Sequence, residues 1–346
     1  MKDQESRPKF SMTVSDEFKR KYTNKKLEAI PCPLCLKGRD SFLTAVGFPG
    51  VPVRNVICKN CGLIRINPRM SQKDYDDFYV QDFFEYLNPF TRPHYVNTIE
   101  KTTDPNFITE SEKHQLPYIL PYVKEGGKVF DVGAGFGQFL YLLKREKKVK
   151  VFGVEPDPGS RKIAQERMGI ALSPDTVEEY FQREEHKNEK FDFIILEQVF
   201  EHLLQPLETL RLLGNRLNPQ GVIYIGVPGM YNYGVAADRF FELAHTYGYT
   251  PAVLKKFADM AGLKLISVRD PFSSCLEVMM ALKSSNYAEE KETKTKYGKK
   301  WYVTRNRILG KMYYLKFRGV VKKILLTFFG ERVKNILRSI VDKFLR

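Results

Sequence analysis

Residues 128–144, KVFDVGAGFGQFLYLLK, run an apolar strand into three glycines and then an amphipathic helix. The glycines are Gly133, Gly135 and Gly137, with Ala134 between the first two and Asp131 two residues ahead. Glycine permits positive φ and lets a ligand lie against bare backbone. A dinucleotide fingerprint wants its third glycine where this chain has Gln138, so the spacing argues against a pyrophosphate. Glu155, followed by Pro156 at the end of the next apolar run, is a carboxylate about 20 residues past the glycines, placed to accept both hydroxyls of a ribose. The chain has 5 histidines, few enough for their positions to inform. His202, in EHLLQP, falls at the carboxyl end of a strand, where open α/β sheets bind ligands. His245, in ELAHTYGYTP, lies in a long connection after the following strand. An imidazole near neutral pKa suits proton removal from an oxygen or carbon acid. The plainer alternative for His202 is a helix-start residue bonded only to backbone. Tyr247 and Tyr249 either orient an acceptor or pack. His94, His114 and His186 have no such company and are assigned nothing.

Two CxxC pairs, Cys32 with Cys35 and Cys58 with Cys61, are separated by 22 residues. Four thiolates on two tight turns can surround one Zn²⁺ tetrahedrally, and no spare ligand suggests an open position. The expectation is a structural zinc ribbon whose metal supplies its folding energy, since so short a segment builds little core of its own. Redox pairs are the alternative. Cys275 sits in a strand pattern and reads as a buried core thiol.

These residues need elements to hold them. We read residues 1–26 as a flexible arm, 27–70 as the ribbon, 71–122 as an aromatic helical lead-in or lid, 123–283 as an α/β domain, and 284–346 as a basic helical tail. Strands are expected at 128–132, 150–154, 170–172, 191–196, 221–227, 263–269 and 275–282. Helices are expected to start near Phe136, Pro158, Pro174, His202 and Pro251, several with proline in the first turn, where its missing N–H costs nothing. Apolar strands alternating with helical patterns mark βαβ units and a parallel sheet. Seven strands exceed a plain dinucleotide fold.

In order, D131-V-G-A-G-F-G137, V-E155-P-D, F191-D-F-I-I-L-E-Q-V-F-E-H202-L and G221-V-I-Y-I-G-V-P-G229 make residues 126–283 resemble the class I, seven-stranded Rossmann-like methyltransferases that use S-adenosylmethionine. The resemblance implies that the glycine loop carries the amino-acid end of the donor and Glu155 its ribose. It also implies that Asp175 and Thr176 flank the adenine and that Glu197 and Gln198 close over the donor. With the ribbon in front, and CKNCGLIRINPRMS over residues 58–71, the chain looks like the zinc-binding sugar C-methyltransferases and polysaccharide-cluster methyltransferases. Those sugar enzymes add a second large α/β domain, which is not seen after residue 283, so the acceptor is not carried over. Glu201, His202 and His245 also resemble the metal site of small-RNA 2′-O-methyltransferases, but Gln198 replaces the first glutamate of that set. In the lead-in, Tyr79 and Tyr86 are candidates to cover the donor. No N/D-P-P-Y run follows the fourth strand, which disfavours base amino groups, and no Pro-Cys nucleophile appears there.

The net charge of +15 is local. Residues 293–346 hold 16 Lys/Arg against Glu331 and Asp342, leaving 40 against 39 in the first 292 residues. Apolar residues Val333, Ile336, Leu337, Ile340, Val341, Phe344 and Leu345 recur at helical spacing among the basic ones. A basic amphipathic tail suits an anionic membrane surface; packing on the domain and RNA binding are the alternatives. The N-terminus lacks the apolar core of a leader and no apolar run is long enough to span a bilayer, so the expectation is a cytoplasmic protein, peripheral at the inner membrane face. The function expected is methyl transfer from S-adenosylmethionine to a sugar or glycan. The alternatives are an RNA methyltransferase that grips substrate with ribbon and tail, and a non-catalytic donor-binding assembly protein.

Overall fold

A computed structural model describes residues 14–45, 47, 50–82, 104, 108–231, 240–269, 275–290 and 300–329. Its central sheet is built from β4 (Lys128–Val132), β5 (Lys150–Val154), β6 (Phe191–Glu197), β7 (Leu217–Pro228), β9 (Leu263–Arg269) and β10 (Cys275–Leu282). The order is β5-β4-β6-β7-β10-β9. β4 pairs in parallel with β5 and β6, β6 in parallel with β7, and β10 runs antiparallel to both β7 and β9. The chain leaves β4 for β5 on one side and returns to β6 on the other. The carboxyl ends of β4 and β6 therefore flank a switch point, the place where open α/β sheets bind ligands.

The strands are apolar on both faces because both are covered. On one face Phe130, Phe191, Ile194 and Leu196 pack with α6 (Val177–Gln182), α7 (Pro206–Gly214) and α8 (Pro251–Met260). On the other, Val129, Phe193 and Ile195 meet Leu140 and Leu143 of α4 (Gln138–Lys147), and Leu116 and Ile119 of α3 (Glu110–Ile119). α3 thus belongs to the sheet's core and not to a separate lead-in ending at residue 122. The element α5 (Pro158–Ile163) follows β5, capped by Asp157.

The described sheet has six strands where seven were expected. The segment at 170–172 makes only an isolated parallel bridge, Val154 to Ser173, with Glu155 N–H donating to Ser173 O at 2.9 Å and Ser173 N–H to Gly153 O at 3.0 Å. Pro174 has no N–H to continue the ladder. Three helix starts also move. Gly137 sits at φ 72° and caps α4, so the helix begins at Gln138 and not at Phe136. Thr176 accepts from Glu179 N–H in a capping box, so α6 begins at Val177 and not near Pro174. His202 lies in a turn, and the helix after it begins at Pro206.

The cysteine module is a second sheet, β1 (Asp40–Thr44), β2 (Asn55–Cys58), β3 (Ile64–Ile66) and β8 (Tyr247–Gly248), in that order and antiparallel throughout. Its last strand comes from the connection that carries His245. Residues 27–70 are therefore not a self-contained ribbon. The arm is not uniformly loose either: α1 (Asp16–Thr23) is capped by Ser15 and buries Phe18 and Tyr22 against Tyr75 of α2 (Gln72–Asp77) and against Phe78. Two apolar rings on one helical face account for that docking. Residues 1–13 lie outside the described residues.

The tail begins as one long helix, α9 (Trp301–Phe329). Ile308 is fully buried with Leu43, Ile57 and Ile64 of the module, and Thr304 and Tyr231 hydroxyls lie 3.0 Å apart. Farther along, Tyr313, Phe317 and Val320 are exposed. Val333 to Leu345, Tyr86 and His94 lie outside the described residues. Among the described residues no helix is long and apolar enough to cross a membrane.

Candidate functional site

The glycine loop stands at the carboxyl end of β4. A side chain at Gly133, φ 68°, would meet Val199 at 2.8 Å, whereas one at Gly135, φ 54°, would meet nothing within 4 Å. The fold therefore explains Gly133 by packing, and Gly135 leaves open backbone facing the crevice. Glu155 stands beside it: its Oε2 accepts from Gly135 N–H at 2.8 Å and its Oε1 from Asp157 N–H at 2.9 Å. Arg161 donates to the carbonyls of Glu155 and Pro156 and fixes the turn. Ala134 N–H donates to Val154 O at 3.0 Å, which locks the loop onto β5.

Three carboxylates crowd this end of the sheet. Asp131 is buried, and its pKa is pushed well above the carboxylate range by burial and then by Glu197 and Glu155. Burial raises Glu155 as well, against two backbone hydrogen bonds. Glu197 is pushed up to about 7 by burial, although Tyr224 OH donates to it at 2.8 Å and Gln115 Nε2 at 2.6 Å. A side chain at Gly226 would collide with that carboxylate, so glycine there makes room for it. A buried group of carboxylates suits a cationic ligand. A donor with an ammonium and a sulfonium is one.

Gln198 follows at φ 54°, a left-handed conformation uncommon outside glycine, and its side-chain amide reaches Cys275 Sγ at 3.7 Å. Cys275 is half-buried at the start of β10, facing the site, and is not the core thiol its strand pattern suggested. Asp175 accepts from Ser173 Oγ at 2.6 Å and from Arg183, and Thr176 serves as the α6 cap, so the fold already uses both polar groups.

A second cluster is formed by the turn after β6 and the connection before β8. Glu201 is 1% exposed, and neither of its carboxylate oxygens has a hydrogen-bond partner. His202 Nε2 lies 3.8 Å from Glu201 Oε1 and His245 Nε2 4.0 Å from it. His245 Nε2 also meets Glu242 Oε1 at 2.5 Å. Burial, and then the charge of His245, lowers His202 to about 3 and keeps it neutral. Burial opposes protonation of His245, but Glu242 and Glu201 outweigh it and raise its pKa. Sequence reasoning brought Glu201, His202 and His245 together and missed Glu242, which gives no signal beyond lying three residues before His245. Tyr79 OH reaches His202 Nδ1 at 3.0 Å. The polar end of Tyr247 is held elsewhere, donating to Leu204 O at 3.2 Å and accepting from Arg69 at 3.1 Å, and Tyr249 donates to Phe200 O. A small cavity beside His245 is walled by Asn55 and Ile64 of the cysteine module and by Met230 and Phe241.

The four cysteine sulfurs converge within 4.8 Å of one another, with Cys32 to Cys61 at 3.4 Å and Cys35 to Cys58 at 3.5 Å. Zinc–sulfur bonds of about 2.3 Å in a tetrahedron put sulfurs about 3.8 Å apart, so the quartet has the size of a metal site. Asn60 N–H points at Cys58 Sγ at 3.4 Å, a hydrogen bond that a thiolate favours.

Comparison with known proteins shows what this region is similar to. The sequence pattern of the family described as "Methyltransferase domain" matches residues 107–268. A "tRNA U34 carboxymethyltransferase" of Desulfotalea psychrophila is 26% identical over 147 residues, which cover 40% of this chain and 44% of that protein. Among solved structures, a SAM-dependent methyltransferase from Archaeoglobus fulgidus aligns with 54% of this chain and 99% of its own, at 16% identity and a TM-score of 0.43. One from Aquifex aeolicus aligns with 53% and 96%, at 21% identity and a TM-score of 0.40. The chain is similar to S-adenosylmethionine-dependent methyltransferases, and the methyltransferase pattern spans residues 107–268, the stretch that carries the glycine loop, Glu155 and the switch-point crevice.

Proposed function

We propose that this methyltransferase acts on a sugar or glycan, nucleotide- or lipid-linked, in the making of surface polysaccharide. The observation that carries the reading is the joining of the cysteine module to the acceptor side of the crevice. β3 pairs with β8 directly beside His245, and Asn55 and Ile64 line the cavity next to it. The ribbon-bearing sugar methyltransferases that the sequence resembles have the same two parts in the same order. Glu201 and Glu242 make the acceptor side acidic, which suits neutral hydroxyls better than phosphate.

The donor is already activated as a sulfonium, so two tasks remain: placing the acceptor in line and taking its proton. The acceptor O–H, or an acidic C–H, gives its proton to the His245–Glu242 pair. The oxygen or carbon then attacks the methyl carbon, the C–S bond breaks, and its electron pair stays on sulfur as a neutral thioether. Cys32, Cys35, Cys58 and Cys61 would hold a structural Zn²⁺ that stiffens the module; the ion takes no part in the transfer.

A second reading is supported by the relative named for tRNA and by the basic tail: an RNA acceptor. One experiment separates the two. Labelled S-adenosylmethionine is added to an extract of the source cell, which is then partitioned into lipid, polysaccharide, RNA and protein. Label in the glycan or lipid fraction that is lost in His245→Ala supports the sugar reading; label in RNA overturns it. Donor binding with no labelled fraction would leave the non-catalytic assembly role.

A further inference from the structure

A row of residues crosses the sheet from the donor crevice to its edge strand. Glu197 of β6 stands opposite Gly226 of β7, Gly226 opposite Glu277 of β10, and Glu277 opposite Arg269 of β9. Glycine leaves a gap in that row, filled by the Glu197 carboxylate and by the hydroxyl of Tyr224. Tyr224 lies two residues before Gly226, on the same face of the strand. Its hydroxyl is 2.8 Å from Glu197 Oε2 and 3.0 Å from Glu277 Oε1. Tyr224 and Glu277 are both buried, whereas Glu197, at the carboxyl end of β6, is partly exposed.

Behind the hydroxyl the charges are settled. Arg269 grips Glu277 twice, Nε donating to Oε2 at 2.6 Å and Nη2 to Oε1 at 2.7 Å. A guanidinium fork of this kind holds a carboxylate, so Glu277 can only accept. Arg269 is fixed in turn from α3, donating to His114 O at 2.8 Å and lying over the Tyr118 ring. Gln115, on the same helix, donates to Glu197 Oε1 at 2.6 Å and stands 3.3 Å from the Tyr224 oxygen.

A phenol has one hydrogen, and here two carboxyl groups compete for it. Either charge state of Glu197 can be satisfied. When Glu197 is protonated, its O–H donates to the Tyr224 oxygen and Tyr224 donates to Glu277. When Glu197 ionises, its proton goes to water, the hydroxyl hydrogen swings to Glu197, and Arg269 still satisfies Glu277. No buried group is left unpaired in either state, as one would be beside an apolar residue. The other ionisable groups that face Glu197 are Asp131, Glu201 and Cys275. All three are acids and Arg269 is already paired, so the positive charge that ionised Glu197 balances comes from a ligand.

We propose that Tyr224 is a positioning residue for the donor: backed by Glu277 and Arg269, its hydroxyl holds the Glu197 carboxyl in place in either charge state and lets it ionise when a cationic ligand enters. This depends on the donor side of the crevice alone, so it stands or falls independently of which acceptor is methylated.

The test is S-adenosylmethionine binding by titration calorimetry between pH 5.5 and 7.5, each pH run in two buffers of different ionisation heat to count protons. Wild type should release close to one proton per donor at pH 6, and Glu197→Gln should release none. The two network variants should move the pH profile of affinity in opposite directions. Tyr224→Phe removes a hydrogen bond that favours ionised Glu197, so the midpoint should rise by about one unit. Glu277→Gln removes a negative neighbour, so the midpoint should fall. A residue that only shaped the fold would weaken binding at every pH and leave the midpoint in place. Midpoints that stay, or that move the same way in both variants, overturn the role, as does proton release that survives Glu197→Gln. Circular dichroism shows whether each variant is folded. If Tyr224→Phe is not, 3-fluorotyrosine introduced at that position alone, a stronger donor of the same shape, should lower the midpoint; an unmoved midpoint overturns the role.

Discussion

Burial raises Asp131, Glu155 and Glu197, the charges of Glu197 and Glu155 raise Asp131 further, and a positively charged donor would relieve all three. Binding should therefore release a proton. With Glu197 at about 7, donor affinity should be flat above that pH and fall toward tenfold per unit below it, measured by titration calorimetry between pH 5.5 and 8.5. Glu197→Gln should flatten the profile. The sign for folding is opposite: a carboxyl whose pKa is raised from 4.5 contributes most to stability below pH 4.5 and loses that contribution as pH rises through about 7. For Glu155→Ala, the lost hydrogen bonds to a charged acceptor are each worth roughly 1.5–3 kcal/mol, so donor binding should weaken ten- to a hundredfold or more. Unchanged affinity would remove the ribose assignment. At this scale the sequence was legible where the backbone has a fixed need: Gly133, Gly135 and Gly137 all take positive φ, and Glu155 stands beside Gly135. Glu242 was not legible, because its partnership with His245 depends on a turn that no spacing rule describes. Cys275 faces Gln198 only because β10 happens to start opposite the end of β7.

Elements were legible where apolar runs are long. The strands at 128–132, 150–154 and 191–196 were read to within a residue, and proline starts at Pro158 and Pro251 were read correctly. Single residues undid the rest: Gly137 in the left-handed region delays α4, Thr176 caps α6, and Pro174 truncates the expected third strand. The pairing of β3 with β8 lay beyond local reading, since two residues, Tyr247 and Gly248, are too short to show a pattern. Its consequence is testable. If the four cysteines hold the proposed ion, stripping it with a chelator should loosen β3 and with it residues 245–249, seen as faster amide exchange there by at least tenfold while β4 and β6 stay protected. Unchanged exchange at 245–249 would mean that the module is only a neighbour of the acceptor loop.

For the whole molecule, the charge map and the helix α9 together divide the tail into two parts. Its first turns are anchored by Ile308 and Thr304, with Lys59 over the Trp301 ring and Arg307 over Tyr231. Beyond Met312 the helix shows Tyr313, Phe317 and Val320 beside Lys316. A chain ending at Met312 should keep its melting temperature within about 2 °C yet lose binding to vesicles containing anionic lipid, each basic residue near the surface contributing about 1 kcal/mol. Vesicle binding that survives this truncation would refute the membrane reading. Ile308→Ala should instead destabilise by about 2–5 kcal/mol, the usual cost of emptying a buried aliphatic site.

The β3–β8 ladder also sets an order of events during synthesis. The first three strands of the module leave the ribosome some 180 residues before the two that complete their sheet. Until Tyr247 and Gly248 arrive, β3 carries an open edge, the kind of surface that pairs with the wrong strand. Contacts this distant in sequence slow folding, because the loop must close before it is rewarded. Early metal capture at the cysteines would hold the waiting edge in shape. Yield in the cell should then follow metal supply during translation more closely than metal added after purification.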